Sequence, residues 1–346
     1  MKKRIKTILR NPCSLLGATL MAGALMVGSA YAATVTVTVR DDGTSNIGAP
    51  GTFYWALTNA QAGDTIAFNI PGAGPHYLQI PPNGFPLIYR KTNLTIDGYT
   101  QPGSSPNSNP ITGANNAVIK IVVDGRNGNT RDMAYEAYDG TLIASDPPIN
   151  NTAMATDRSG YGHDELALLG VYRSTGVTIR GLAFLGTLTP VNSGAVKGIC
   201  FAHDYDLDTT VRARDEYTSG SDGNGHISGC WFGVDPGNPT LAGVVPSGMA
   251  MAAYRHRAPS GDPRPELPNI GMTVGVKKAS ANPRGEFNIF VAHGYAFDVE
   301  AIRMTVAGNF FNVLPDGVTP YNMVELLPAV FQGGQFEMGR YADTVP

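Results

Sequence analysis

Charge and cysteine are both scarce in this chain, and each shortage narrows what it can be. Asp, Glu, Lys and Arg make up only 15% of 346 residues, while Gly (42) and Pro (25) are abundant. That balance disfavours a helical protein and favours many short strands separated by turns. Of three cysteines, only Cys200 and Cys230 lie beyond the N-terminal segment. They allow a single disulfide in an oxidising compartment, or two small buried hydrophobes in a β core, and spacing alone does not decide between them. No apolar run after the first thirty residues is long enough for a membrane span. The chain also lacks a metal-binding histidine pair, a phosphate-binding glycine loop and a nucleophile elbow.

What is present begins with a leader. Lys2, Lys3, Arg4, Lys6 and Arg10 precede the apolar stretch Leu15 to Val27, and Ala30-Tyr31-Ala32 supplies a small-x-small cleavage site. Residues 1–32 therefore read as a secretory signal peptide, with a secreted or cell-surface location expected. Bacterial periplasm and outer surface stay open as alternatives. Cleavage after Ala32 takes the formal charge from −3 to −8, because five basic residues and no acidic one lie before it. A net-acidic domain has no general attraction for nucleic acid or anionic membrane, and it tolerates divalent cations.

A short phrase recurs, an apolar β-type run followed by glycine and often a second apolar cluster. It occurs at 94–98, 121–125, 177–184, 227–232 and 306–311. Its glycines, 98, 125, 181, 229 and 308, are 27, 56, 48 and 79 residues apart. These gaps are near multiples of a unit of about 24–28 residues, within the range of solenoids. Thr34 to Val39 alternates as a strand, and Thr65 to Ile70 is the next one. Between them, Phe53, Ala56, Leu57 and Ala60 share one helical face, with Thr52 as N-cap. Such a helix suits the end of a β stack, where unpaired edges and an open core need covering.

The stretch from Gly51-Thr52-Phe53-Tyr54-Trp55-Ala56-Leu57 through Ala62-Gly63-Asp64-Thr65 to Gly74-Pro75-His76 resembles the N-terminal cap of exported right-handed parallel β-helix proteins of the pectate-lyase-like superfamily. Thr95-Ile96-Asp97-Gly98-Tyr99-Thr100-Gln101-Pro102-Gly103 is similar to the phrase that follows that cap. The likeness covers about 34–125 well and 176–325 loosely. It departs where Thr52-Phe53-Tyr54 stands in place of Ser-Leu-Arg, and in the irregularity of the repeats. The resemblance implies an elongated exported scaffold and leaves activity open. The expected fold is all-β, a right-handed parallel β-helix (solenoid) with a short N-terminal capping helix and long loop insertions. Residues 33–75 would form the first strand and cap, and 76–346 the β-helix, with insertions near 126–165, 203–226 and 235–286.

Candidate chemistry concentrates at His203-Asp204-Tyr205-Asp206-Leu207-Asp208, followed by Arg212, Arg214, Asp215 and Glu216. Asp204, Asp206, Asp208 and Asp215 fall at positions 1, 3, 5 and 12 of a calcium-loop pattern, although position 6 is Thr209 and no helices flank it. A looser calcium site and a solvated acidic loop are both compatible. In a polysaccharide lyase those acids would hold calcium while Arg212 or Arg214 meets a uronate, so Asp206, Arg212 and Arg214 are the catalytic candidates. The acidic and basic series of the polygalacturonases is absent, and His163 does not replace it. Asp97 and Asp124 sit in Ile-Asp-Gly and Val-Asp-Gly, where turn capping is favoured over a stacked carboxylate pair. His226 reads as a turn residue. Trp231, Phe232, Phe310 and Phe311 offer either sugar platforms or core, and alternation favours core.

The expected function is an exported, non-catalytic surface or adhesion-type protein contacting glycans or other surface polymers. The alternative is a calcium-assisted polysaccharide lyase or other carbohydrate-active enzyme. Partners expected are an extended polysaccharide or cell-surface glycan and no nucleic acid. End-to-end assembly or a missing C-terminal domain is also compatible with the uncapped C-terminal sequence.

Overall fold

The computed structural model describes residues 32–129, 131–132, 135–136, 142–143, 166–172, 174–186, 197–203, 224–245, 247–255, 271–291, 293–300, 303–321, 327–332 and 335–339. Almost all the regular structure is short strands. An eight-stranded sheet runs, in order, through Thr34–Val37, Thr65–Phe68, Thr95–Asp97, Thr178–Arg180, Gly225–Ser228, Gly271–Gly275, Arg303–Ala307 and Gln335–Gly339. A six-stranded sheet holds His76–Gln79, Ile121–Asp124, Leu182–Leu185, Trp231–Phe232, Asn288–Phe290 and Asn309–Phe311. The third, seven-stranded sheet holds Ile88–Tyr89, Leu166–Tyr172, Lys197–His203, Ser247–Arg255, His293–Glu300 and Leu327–Gln332, with Arg131–Asp132 attached. Among the described strands, pairing is parallel except for Arg131–Asp132 on Leu166–Tyr172 and a separate antiparallel pair, Tyr135–Glu136 with Leu142–Ile143. Isolated antiparallel bridges also join Ser105 with Val118, Val234 with Val244 and Val313 with Pro320.

Alternation along the strands explains the packing, because successive side chains point to opposite faces. In the eight-stranded sheet one register row runs Val35, Ile66, Ile96, Ile179, Ile227, Val274, Val306 and Met338. Ile66 through Val306 of that row are buried in the main core. The six-stranded sheet contributes Leu78, Val123, Phe184, Phe232, Phe290 and Phe311 in one row. Its last four rings stack with centroids 5.0, 4.8 and 5.3 Å apart. On the other face of that sheet a second apolar cluster includes Val122, Ala183, Trp231, Ile289 and Phe310.

The sole α-helix among the described residues is Phe53–Asn59, with Thr52 Oγ1 accepting from Trp55 N at 3.1 Å. Phe53, Ala56, Leu57 and Ala60 are all buried, and the Phe53 ring meets Phe68 and Phe85 at 5.6 and 5.2 Å. Asp41, in the connection between the first strand and the helix, reaches back to cap the same helix. Its carboxylate accepts from Phe53 N at 2.8 Å and Tyr54 N at 3.1 Å.

The expected fold needs correction. The pairings define three sheets of eight, seven and six strands, with one antiparallel strand on the seven-stranded sheet and a separate antiparallel pair, while the short capping helix expected near Thr52 is present as Phe53–Asn59. Parallel sheets of this kind need not form a β-helix, and the architecture is stated as β-rich with three parallel sheets. Periodicity reports extended backbone and its buried face, but not how crossovers close. The regular repeat is corrected too. Gly98, Gly181 and Gly229 follow aligned residues of the eight-stranded sheet, whereas Gly125 follows a strand of the six-stranded one. Its inclusion produced gaps that looked like multiples of one unit. The aligned glycines stand 83 and 48 residues apart. Two of them need glycine for conformation and space. Gly181 has φ +69° and Gly229 φ +60°, and an added Cβ would lie 2.7 and 2.4 Å from Tyr99 atoms.

Candidate functional site

The densest partly exposed polar cluster joins three separated stretches. Tyr77 and Gln79 come from His76–Gln79, Asp124 closes Ile121–Asp124, Arg126 lies in the turn after it, and Asp235 follows Trp231–Phe232. Register places Gln79 beside Asp124, and Gln79 Nε2 donates to Asp124 Oδ2 at 2.7 Å. Arg126 grips Asp124 with Nε and Nη2, both at 2.8 Å, and Nη1 reaches Asp235 Oδ2 at 3.2 Å. Tyr77 donates its hydroxyl to Asp235 Oδ1 at 2.6 Å. The guanidinium lies over the Tyr77 ring, 5.0 Å from its centroid.

Backbone amides complete the set. Arg126 N donates to Asp124 Oδ1 at 3.1 Å, and Gly237 N to Asp235 Oδ1 at 2.8 Å. Burial pushes the Asp124 carboxyl upward, but its hydrogen bonds to Arg126 and that residue's charge outweigh burial and hold it below the usual range. The hydrogen bond to Asp124 leads the causes that raise Arg126. Burial, then the bond to Asp235, lifts the Tyr77 hydroxyl to about 12. All four carboxylate oxygens are therefore engaged, and neither acid stands free as a base or nucleophile. The most accessible group is Arg126, its side chain 36% exposed against 3% for Asp124 and 12% for Asp235. The arrangement can present a fixed cationic plate backed by an aromatic ring, with geometry set before any ligand arrives.

The residues singled out from sequence distribute differently. Asp204, Asp206, Asp208, Asp215, Arg212 and Arg214 lie outside the described residues, as does His163. Among the described residues no group of three or more His, Cys, Asp or Glu side chains is placed to hold a metal ion. Asp97 and Asp124 belong to different sheets, so they do not stack. Asp97 accepts from Tyr99 N at 3.1 Å and pairs with Arg180 at 2.5 Å, and Asp124 accepts from Arg126 N. Both therefore cap turns.

His226 corrects its expected role. It is inside Gly225–Ser228, buried, with Nε2 2.8 Å from Gly275 O. Burial takes its pKa down to about 4. Cys200 and Cys230 are both buried and not joined in a disulfide, and burial pushes the Cys230 thiol up to about 12. Phe232 lies inward in the stacked row, whereas Trp231 and Phe310 face the other side, buried in the second cluster. None of these three offers an open stacking platform.

Tyr77, Gln79, Arg126 and Asp235 were missed from sequence. The only local signal was turn chemistry, Asp124-Gly125-Arg126 and Asp235-Pro236-Gly237, which is too common to mark a site. Compared with known proteins, the chain matches no protein family, no curated protein and no solved structure, and none of these comparisons identifies the pectate-lyase-like superfamily. Among the described residues no helix is long and apolar enough to cross a membrane.

Proposed function

We propose an exported, non-catalytic surface or adhesion-type protein that contacts glycans or other surface polymers. The observation carrying this reading is the Tyr77–Asp124–Arg126–Asp235 cluster. Its acids are consumed in holding Arg126, and its accessible face is the arginine over Tyr77. Hydrogen-bond donors on a fixed planar group suit ring oxygens and hydroxyls, and the engaged carboxylates do not suit proton transfer. The leader at residues 1–32 supports export, and the acidic balance of the remainder argues against nucleic acid as partner.

A glycan array with the purified full chain tests this, alongside absorbance assays for unsaturated ends on acidic polysaccharides, with calcium and with chelator. Saturable binding without product release is expected, weakened at least fivefold by Arg126→Ala in protein whose circular dichroism is unchanged. Calcium-dependent unsaturated products, lost on Asp206→Ala, would replace the reading with a lyase. Absence of binding across the array would remove it altogether.

A further inference from the structure

The face of the eight-stranded sheet opposite the Ile/Val row carries a second row, two of whose members, Thr95 and Thr178, lie in the phrase that recurs along the sequence. Register aligns Thr34, Thr65, Thr95, Thr178, His226, Thr273, Thr305 and Glu337, one residue from each strand. Thr65, Thr95, Thr178, Thr273 and Thr305 are half-buried and Thr34 is exposed. No side-chain hydrogen bond engages any of these six hydroxyls among the described residues, although neighbouring polar side chains are engaged. Asp97 pairs with Arg180, and His226 lies against Gly275 O. Six β-branched side chains thus hold six hydroxyls and six methyls in line, with one χ1 rotor each and no side-chain partner among the described residues.

Three properties of the row define what it fits. Its repeat is the separation of paired strands, about 4.7–4.9 Å, so Thr34 to Thr305 extends about 29 Å. From Thr34 to Thr305 its charge is close to nil, and Glu337 stands at its end. Threonine is neutral, His226 is uncharged at neutral pH, and the adjoining Asp97 and Arg180 neutralise one another. Its relief is low at Ala67 and from Ser228 through Gly275 to Ala307, while the paired Asp97 and Arg180 stand beside Thr95 and Thr178.

We infer that this threonine row is a binding surface for a neutral, extended β-linked polysaccharide lying across the strands. Each sugar ring meets one strand, its hydroxyls bonding to threonine Oγ1 and its C–H face resting on the methyl groups. The ring-to-ring advance of such a chain is slightly longer than the strand spacing, so contacts keep near register over a few neighbouring strands, and short contacts add up through multivalency. An acidic polymer gains nothing from an uncharged row.

The inference rests on the glycan-contact reading above, and its test separates the two. The purified full chain is sedimented with crystalline cellulose, with β-chitin and with polygalacturonate beads, at low and at high salt. Three proteins are compared, the unaltered chain, Thr65→Val/Thr95→Val/Thr178→Val and Thr95→Lys. Valine keeps the β-branched shape and removes only the hydroxyl, so unchanged thermal melting reports an intact sheet. Expected are salt-insensitive binding to cellulose or β-chitin, and at least tenfold weaker binding for both variants. Full binding by folded triple-valine protein overturns the row and leaves the glycan reading standing. Binding confined to polygalacturonate, or abolished by salt, overturns the neutral-polymer assignment. Adsorption to growing ice without polymer binding assigns the row to a water lattice and overturns it as well. If no glycan is bound anywhere, on beads or array, both readings fail together.

Discussion

Two buried titratable residues pull the stability of this protein in opposite directions. Asp41 is raised to about 6, by burial first and despite its helix-capping bonds, so its contribution is complete below the unfolded value near 3.8 and is lost as pH rises through 6. His226 is lowered to about 4, again by burial first, so its contribution is complete above 6.5 and is lost as pH falls through 4. Each shift is worth about 3 kcal/mol. In the window between 4 and 6.5 the two should nearly cancel. Asp41→Asn is expected to become more stable as pH rises across that window, and His226→Gln less stable. Urea midpoints of the three proteins at several pH values check this, and parallel slopes would sink it. Glycine substitutions make a second residue-scale comparison. Gly181→Ala meets both left-handed backbone and the Tyr99 ring, whereas Gly128 has φ +84° with nothing within 4 Å. Gly128→Ala should cost about 1 kcal/mol and Gly181→Ala about 3 kcal/mol or more, measured as the change in unfolding free energy.

At the scale of elements, strength comes from rows more than from individual strands. Phe232 stacks between Phe184 and Phe290 and is fully buried, so Phe232→Ala should cost about 3–5 kcal/mol. Phe311 is only partly buried, and Phe311→Ala should cost clearly less. Equal denaturant shifts for the two would refute this ordering. Thr52→Ala removes one of two caps on Phe53–Asn59, and its loss should stay near 1 kcal/mol because Asp41 retains the other amides. These elements were the legible part of the sequence. The helix face followed from i, i+3, i+4 spacing, and Thr34 to Val37 from strict alternation. His226 was misread because a polar residue between Asn224-Gly225 and an apolar run resembles a turn. Only the register of neighbouring strands reveals the carbonyl of Gly275 that receives it.

At the scale of the whole molecule, polar bonds tie distant segments together. The Tyr77–Asp235 bond joins residues 158 positions apart, and Arg126–Asp235 joins residues 109 apart. Asp235→Asn should lower stability by about 1–2 kcal/mol and lower the titration midpoint of Tyr77 from about 12 toward the value that burial alone sustains, since a neighbouring anion is gone. A tyrosinate absorbance titration reads the second effect. This cluster was illegible in sequence for the reason the threonine row was. Thr95, Thr178 and Thr305 each stand in an apolar-Thr-Ile/Val-x-Gly stretch, but only parallel pairing lines them up with Thr65 in one row. The aligned corners Gly98, Gly181 and Gly229 carry the same lesson further. Between them the chain spends 83 and then 48 residues, yet their strands keep one register. Contour length and pitch are therefore independent in this protein. A peptide spliced into the turn at Asn238–Leu241 would ride as cargo, while the row kept its interval like the graduations of a rule cut by the backbone itself.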